Sequence, residues 1–383
     1  MHGFPPALTG QVTLANWRTA PFNRWAFHHV RDLVPSAEIA APRAGHEPWT
    51  RADRDLPVGD LAATDTDGLV ILHRGRLVRE TYAHGLAAET PHILMSVSKS
   101  LLGLLAGVLV GRGQLDPEEP VTALIPELAG TAYRGATIRQ LLDMRVGVAF
   151  DENYLATSGP IIEYRKSTGW NPLAPGESPS DLRSFFQHLT KPDGPHGGRF
   201  HYVSPNTDLL GWVLERASGL RYADLMSELL WRPMGAEHAA YITVDRLGAP
   251  RCAGGICVTT RDLARVGQLI VEGGRHRGVQ VVPKDWIDDI FSAGDPEAWK
   301  QGPFVPYFPG LPIHYRSKCY VVRGPEPLLF GFGIHGQHLF VDPTAEIVIA
   351  KVSSQAAPLD ARRIARTLEM VEQVRRHLRG VES

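Results

Sequence analysis

The stretch His92-Ile93-Leu94-Met95-Ser96-Val97-Ser98-Lys99-Ser100, continuing as Leu101-Leu102-Gly103-Leu104-Leu105-Ala106-Gly107-Val108-Leu109-Val110, decides how the rest of the chain is read. After Ser96 it reads as a helix, with no charge between Lys99 and Arg112. A helix that is apolar on every side is a buried one. Positions i and i+3 share a face, so the Ser96 hydroxyl and the Lys99 amine point the same way at the helix N-terminus. Free backbone N–H groups and the helix dipole favour negative charge there, which suits an alkoxide. The motif alone is weak, because ordinary composition gives roughly one Ser-x-x-Lys in a chain this long. Ser96 as a plain helix cap and Lys99 reaching out to solvent are the structural alternatives.

The chain has 383 residues, enough for one large domain or about two. With 43% hydrophobic and 21% charged residues it has the composition of a soluble globular protein with a sizeable core. A net charge of −1 gives no reason to expect a nucleic-acid or membrane partner. The three cysteines, Cys252, Cys257 and Cys319, match neither a disulfide framework nor a zinc spacing. They read as reduced thiols of a cytoplasmic protein. Met1-His2-Gly3-Phe4-Pro5-Pro6 has neither the basic nor the apolar region of a secretion signal. The apolar run Leu101 to Val110 is shorter than the roughly 20 residues a bilayer requires.

Residues 1–60 read as chain wrapped on a surface, with a short helix around Asn23 to Val30. Gly68 to His73 and Arg76 to Tyr82 flank Arg74-Gly75 as strand, tight turn and strand. From Leu115 to about Gly235 the pattern is helical. Helices start near Ala136, at a cap of Asn206-Thr207-Asp208, and at Tyr222, the last running to Leu230. Residues 150–181 read as a long irregular loop, and such loops in compact domains are usually functional. Ala240 to Thr243 and Gly255 to Val258 read as short strands, and Thr259-Thr260-Arg261-Asp262 as a capping box. Leu339 to Val341 and Glu346 to Val352 read as a hairpin, and residues 359–378 as a basic amphipathic helix. Strands early and late with helices between predict an α/β domain from residues 1–114 and 236–383, with a helical domain of residues 115–235 inserted.

Two further features bear on chemistry. Tyr202-Val203-Ser204-Pro205-Asn206 precedes a helix, and Tyr202 and Ser204 face one side if extended. Gly331-Phe332-Gly333-Ile334-His335-Gly336 is a literal G-x-G-x-x-G, but it leads into strand rather than helix, which rules out a dinucleotide fingerprint. It reads instead as an edge strand whose glycines admit a close approach to the backbone. No G-x-S-x-G, H-E-x-x-H or Walker motif occurs. No metal or cofactor is expected.

Together these features resemble the serine β-lactamase and penicillin-binding superfamily. Within it the chain resembles the 6-aminohexanoate-dimer hydrolases, which are similar to class C β-lactamase-like carboxylesterases. The resemblance runs through Asn23-Arg24-Trp25-Ala26-Phe27, Leu94 to Leu101, Asn206-Thr207-Asp208, Gly219-Leu220-Arg221-Tyr222, Arg261 to Gly267 and Gly333 to Gln337. It implies an α/β, β-lactamase/DD-peptidase-like fold, an antiparallel sheet flanked by helices with a helical insertion. It also implies Ser96 as nucleophile, Lys99 as base acting directly or through Tyr202, and Tyr202 as the acid for the leaving group. The implied oxyanion donors are the backbone N–H groups of Ser96 and Ile334. A neutral Lys99 requires its pKa to fall by about 3.5, roughly 5 kcal/mol, which burial can supply. A charged Lys99 beside a tyrosinate is the alternative, and the two protons then titrate as a coupled pair.

The chain departs from the family in its late strand, where Ile334-His335-Gly336 replaces Lys-Thr-Gly. No cation is then offered to a β-lactam carboxylate. By the same resemblance Tyr154 is a loop residue closing over substrate. Arg165 stands where strong amidases carry an acidic residue, and Ala253 where some carry a polar one. Trp170, Tyr320 and His335 are further pocket candidates. The expectation is a serine hydrolase acting on small-molecule esters or amides as a homodimer, most readily a carboxylesterase. The alternatives are an amide-dimer hydrolase and a penicillin-binding-like sensor without turnover.

Overall fold

The computed structural model describes residues 10–43 and 48–380. The N-terminal stretch Met1 to Pro6, read above for a leader, lies outside them.

Seven antiparallel strands form the main sheet, in the order Arg76–Tyr82, Thr66–His73, Ile347–Ser353, Gln337–Asp342, Leu328–Gly333, Cys319–Val322 and Ile313–Arg316. Its central pairing joins the two ends of the chain, with Val70 opposite Ala350 and Leu72 opposite Val348. Side chains alternate between the faces of a strand. Val70, Leu72, Val348 and Ala350 turn to one side, beneath the helices Val97–Gly111 and Thr260–Val271. Leu69, Ile71, Ile347 and Ile349 turn to the other, where Ile364, Val371, Val374 and Leu378 of the C-terminal helix Ala361–Gly380 cover them. Both faces are therefore buried, and the strands read as nearly unbroken apolar runs. A second antiparallel sheet orders Ser36–Ile39, Ala240–Thr243, Ile256–Val258 and His92–Ile93.

The Val97–Gly111 helix is buried along its length by close backbone approach. A Cβ on Gly103 would lie 2.0 Å from the Ser317 carbonyl oxygen, and one on Gly107 2.3 Å from the Trp286 ring. The Trp286 indole donates to the Gly103 carbonyl oxygen at 3.0 Å, which seals this contact. One continuous core runs from the sheet through this helix to the helices Ile138–Leu142 and Pro205–Ser218.

Several sequence expectations change. Residues 150–181 contain the helix Pro160–Ser167, started by Pro160 after Gly159 at φ 89°. The helix near Asn206 begins at Pro205, and Asn206 is buried in its first turn, where its Oδ1 accepts from the Tyr133 hydroxyl at 2.9 Å. Proline at the first position starts the helix without a side-chain cap. The helix from Tyr222 ends at Met226 and widens into a π-turn over Ser227–Trp231. In the strand Leu328–Gly333, Leu329 and Phe330 pair on both sides, but residues 331–333 pair only with residues 337–339, so the glycine segment has the free edge read for it. Of the capping box read at Thr259, the forward half forms, the Thr259 hydroxyl accepting from the Asp262 N–H at 3.0 Å, while the Asp262 carboxylate takes the Thr259 hydroxyl.

Gly103→Ala is expected to cost about 1–3 kcal/mol by overpacking, despite alanine's better helix propensity. Gly130→Ala, with nothing within 4 Å, should stay within about 0.5 kcal/mol of the parent. Urea unfolding of both variants checks this, and equal midpoints would contradict the packing account.

Candidate active site

Ser96 is positioned by the small sheet. His92 and Ile93 pair with Val258 and Cys257, and the Leu94 N–H continues the ladder to the Ile256 carbonyl oxygen at 2.9 Å. The chain then turns sharply through Met95, a non-glycine residue at φ 45°. Such backbone strain tends to persist where surrounding structure enforces it, often at functional sites. Ser96 occupies the N-cap of the Val97–Gly111 helix but makes no side-chain cap bond. Its hydroxyl oxygen instead lies 2.8 Å from Lys99 Nζ, within hydrogen-bond distance. The plain capping reading of Ser96 thus fails.

Lys99 does not reach solvent either, being 1% exposed. Its Nζ donates to Ser204 Oγ at 3.2 Å and to the Ala253 carbonyl oxygen at 2.6 Å. Burial lowers its pKa from 10.5 to about 7, with Glu152 opposing the shift and Arg251 reinforcing it. The Lys99 ammonium position lies 5.0 Å from the centre of the Tyr202 ring. Burial pushes the Tyr202 phenol above its ordinary value, and the Glu152 charge adds to this. The nearby Ser96 and Tyr320 side chains pull weakly the other way. These directions favour a neutral amine beside a neutral phenol over an ammonium–tyrosinate pair.

The late strand meets the Ser96 turn at Gly333. A Cβ there would fall 2.7 Å from the Leu94 carbonyl oxygen and 3.1 Å from the Ser96 nitrogen. The expectation that these glycines admit a close approach therefore holds, and the group admitted is the Ser96 turn. Ile334 follows and lines the same pocket as Ser96. The two backbone N–H groups read as oxyanion donors stand on facing segments.

A narrow pocket brings together Ser96, Tyr154, Arg165, Trp170, Ala253 and Ile334. Tyr154 donates to Glu152 Oε1 at 3.1 Å, and Arg165 Nη2 donates to the Tyr154 carbonyl oxygen at 3.1 Å. Trp170 donates to Thr243 Oγ1 at 3.0 Å, which orients its ring as a wall. Ala253 contributes its backbone, since its carbonyl holds Lys99 and its N–H donates to Asp208 Oδ1 at 2.7 Å. Four of the residues read as site residues fall outside the lining: Lys99 and Tyr202, which stand beside Ser96, and Tyr320 and His335. Tyr320 lies behind Tyr202, stacked on Phe330 at 5.0 Å. His335, at φ 62°, turns away, and its Nδ1 lies 2.7 Å from the Gln355 carbonyl oxygen. Burial holds its pKa down to about 4, as suits a neutral packing residue.

Eight lining residues were not singled out as site residues from sequence, among them Arg18, Glu152, Tyr164, Ser204 and Arg251. Glu152 accepts from the Ser204 N–H at 2.7 Å and from the Ser204 hydroxyl. Arg251 donates to Asp208 and to the Tyr164 hydroxyl, and Tyr164 itself donates to Asp208. Ser204 lies in the Tyr-x-Ser motif, and Glu152 is two residues from Tyr154. Arg18 and Arg251 carry no local motif.

A β-lactamase family model matches residues 59–372. The 6-aminohexanoate-dimer hydrolase of Paenarthrobacter ureafaciens is 37% identical over 362 residues, covering 93% of this chain and 91% of that protein. Among solved structures, a Bacillus anthracis protein named after the 6-aminohexanoate-dimer hydrolases superposes with a TM-score of 0.88 at 24% identity, covering 99% of this chain and 100% of its own. A family VIII carboxylesterase shares the fold with a TM-score of 0.60 at 15% identity, over 81% of this chain and 91% of its own. The antiparallel sheet with flanking helices is thus the β-lactamase fold, and the chain belongs to the β-lactamase family of hydrolases, within which it groups with the 6-aminohexanoate-dimer hydrolases.

Proposed function

We propose that this hydrolase works through an acyl-enzyme on Ser96, most readily with small carboxylic esters and more slowly with linear amides. The observation that carries the reading is the 2.8 Å contact between Ser96 Oγ and a buried lysine amine. With a pKa near 7, Lys99 has a substantial neutral fraction at neutral pH and can accept the Ser96 proton as Oγ attacks the carbonyl carbon. The Ser96 and Ile334 N–H groups stabilise the negative charge that moves onto the carbonyl oxygen. Collapse of the intermediate breaks the bond to the leaving group, which takes a proton from Tyr202, and Lys99 returns its proton to Tyr202. Water then attacks the acyl carbon with the same base, and Ser96 regains its proton.

Esters are favoured on two grounds. A phenolate or alkoxide departs with less protonation than an amine, and burial makes Tyr202 a weak acid. Arg165 in the pocket also opposes a substrate ammonium group. A second reading, hydrolysis of an amide such as a 6-aminohexanoate dimer, is supported by the 37% identical relative of that name.

A fluorophosphonate probe should add one mass increment to the wild-type protein and none to Ser96→Ala. Equal labelling of both would sink the assignment of Ser96. Lys99→Met should lower 4-nitrophenyl acetate turnover by about 10²–10⁴-fold with an unchanged circular dichroism spectrum. Release of amine from 6-aminohexanoate dimer, followed alongside, separates the ester and amide readings. A lasting adduct from a carboxylic ester without continued product would favour a sensor.

The neutral amine is the active form, and its fraction grows as pH rises through the Lys99 pKa. Hence kcat/KM for a neutral ester should climb about tenfold per pH unit below about 7 and level off above it. A profile that keeps climbing to pH 10 would contradict this.

A further inference from the structure

The pocket holds an excess of positive charge that its own acids do not match. Three guanidinium groups line it, Arg18, Arg165 and Arg251, against the carboxylate of Glu152. Arg251 is paired with Asp208, which has no further capacity, since its oxygens also take the Tyr164 hydroxyl and the Ala253 N–H. Glu152 is committed to Ser204 and Tyr154. With Lys99 neutral, three cations therefore face two anions.

The excess is localised. Arg18 donates through Nη2 to the Asn171 side-chain oxygen, and its guanidinium lies against the rings of Trp17 and Trp170 at 5.5 and 5.8 Å. Its Nε–H is buried with no hydrogen-bond partner among the described residues. Arg165 donates only to the Tyr154 carbonyl oxygen among them. Neither arginine forms an ion pair with a carboxylate among the described residues. The two groups repel each other, and burial together with that repulsion lowers the Arg18 pKa to about 9. Partly buried cations without a counter-charge are costly, so an anion entering between them relieves both desolvation and repulsion. Guanidinium donors suit the two oxygens of a carboxylate, and an aromatic floor keeps the Arg18 plane fixed.

We propose that the substrate carries a free carboxylate, remote from the scissile carbonyl, that is held by Arg18 and Arg165. This rests on the acyl-enzyme reading above and names its substrate class, an anionic ester or amide. Glu152 and Ser204 remain with Lys99 at the reacting end. The carboxylate belongs at the end walled by Trp170.

Two matched pairs of esters test this. Mono-4-nitrophenyl glutarate against 4-nitrophenyl butyrate places the charge on the acyl side. Acetoxybenzoate against acetoxybenzamide, each with the acetoxy group at the 4-position, places it on the leaving group. The wild type should prefer the charged member of at least one pair by tenfold or more in kcat/KM. That ratio should collapse toward one in Arg165→Gln and Arg18→Gln and recover in part in Arg165→Lys. If a glutamine variant does not fold, the wild-type ratios and Arg165→Lys decide the case. Ratios near one in both wild-type pairs would overturn the carboxylate site while leaving the acyl-enzyme standing. If no ester turns over and Ser96 takes no phosphonate label, the acyl-enzyme reading itself falls, and this inference with it.

Discussion

The Lys99 nitrogen lies within hydrogen-bond distance of three oxygens, and as a neutral amine it donates to the Ser204 hydroxyl and the Ala253 carbonyl oxygen and turns its lone pair to the Ser96 hydroxyl. Much of the surrounding structure can be traced to the need to bury that amine and aim it. The helix carrying it is stripped of bulk at Gly103 and Gly107 so that a backbone carbonyl and an indole can close over it. The strand beside it has glycine at 331 and 333, where a side chain would collide with Val97 and with the Ser96 turn. Burial then does the chemical work of bringing an ordinary lysine toward neutrality.

The acceptors need holding as well. Ala253 is fixed by its N–H bond to Asp208, which lies in the first turn of the Pro205–Ser218 helix and is neutralised by Arg251. Ser204 is fixed by Glu152 through both its N–H and its hydroxyl. One carboxylate therefore stands behind each of the two groups from outside the Ser96 helix that hold Lys99. A buried ion pair such as Asp208–Arg251 is weak evidence for stability, but it gives a defined geometry. The polar chain from Tyr164 through Asp208 to Ala253 reads as positioning rather than as direct chemistry.

The parts of the site legible in sequence were those carried by local pattern. Ser96 and Lys99 are three apart on a helix whose apolar length announces burial, whereas Tyr202 and Ile334 sit in short motifs that only the family resemblance connects to a site. The hairpin of Thr66–His73 and Arg76–Tyr82 and the late strands also follow from period and turn residues. What was not legible depends on long-range contact. Arg18 reaches the pocket from chain that reads as irregular wrapping, and it meets Asn171 across 153 positions of sequence. His335 looks like a pocket residue until its positive φ turns the ring toward Gln355 and Phe27. The glycines at 331 and 333 mark a free strand edge, but that the same strand gains a second partner over residues 328–330 depends on the distant segment 320–322.

The central claim is that Lys99 is held near neutrality in the folded protein. Its most direct test is an NMR titration of the protein labelled with carbon-13 at lysine Cε, with the Lys99 signal assigned by its loss in Lys99→Met. Lys351 is also buried with its pKa lowered to about 7, so this assignment is essential. The account predicts a midpoint of about 7 for the Lys99 signal. A Lys99 that stays cationic beyond pH 9 would contradict it.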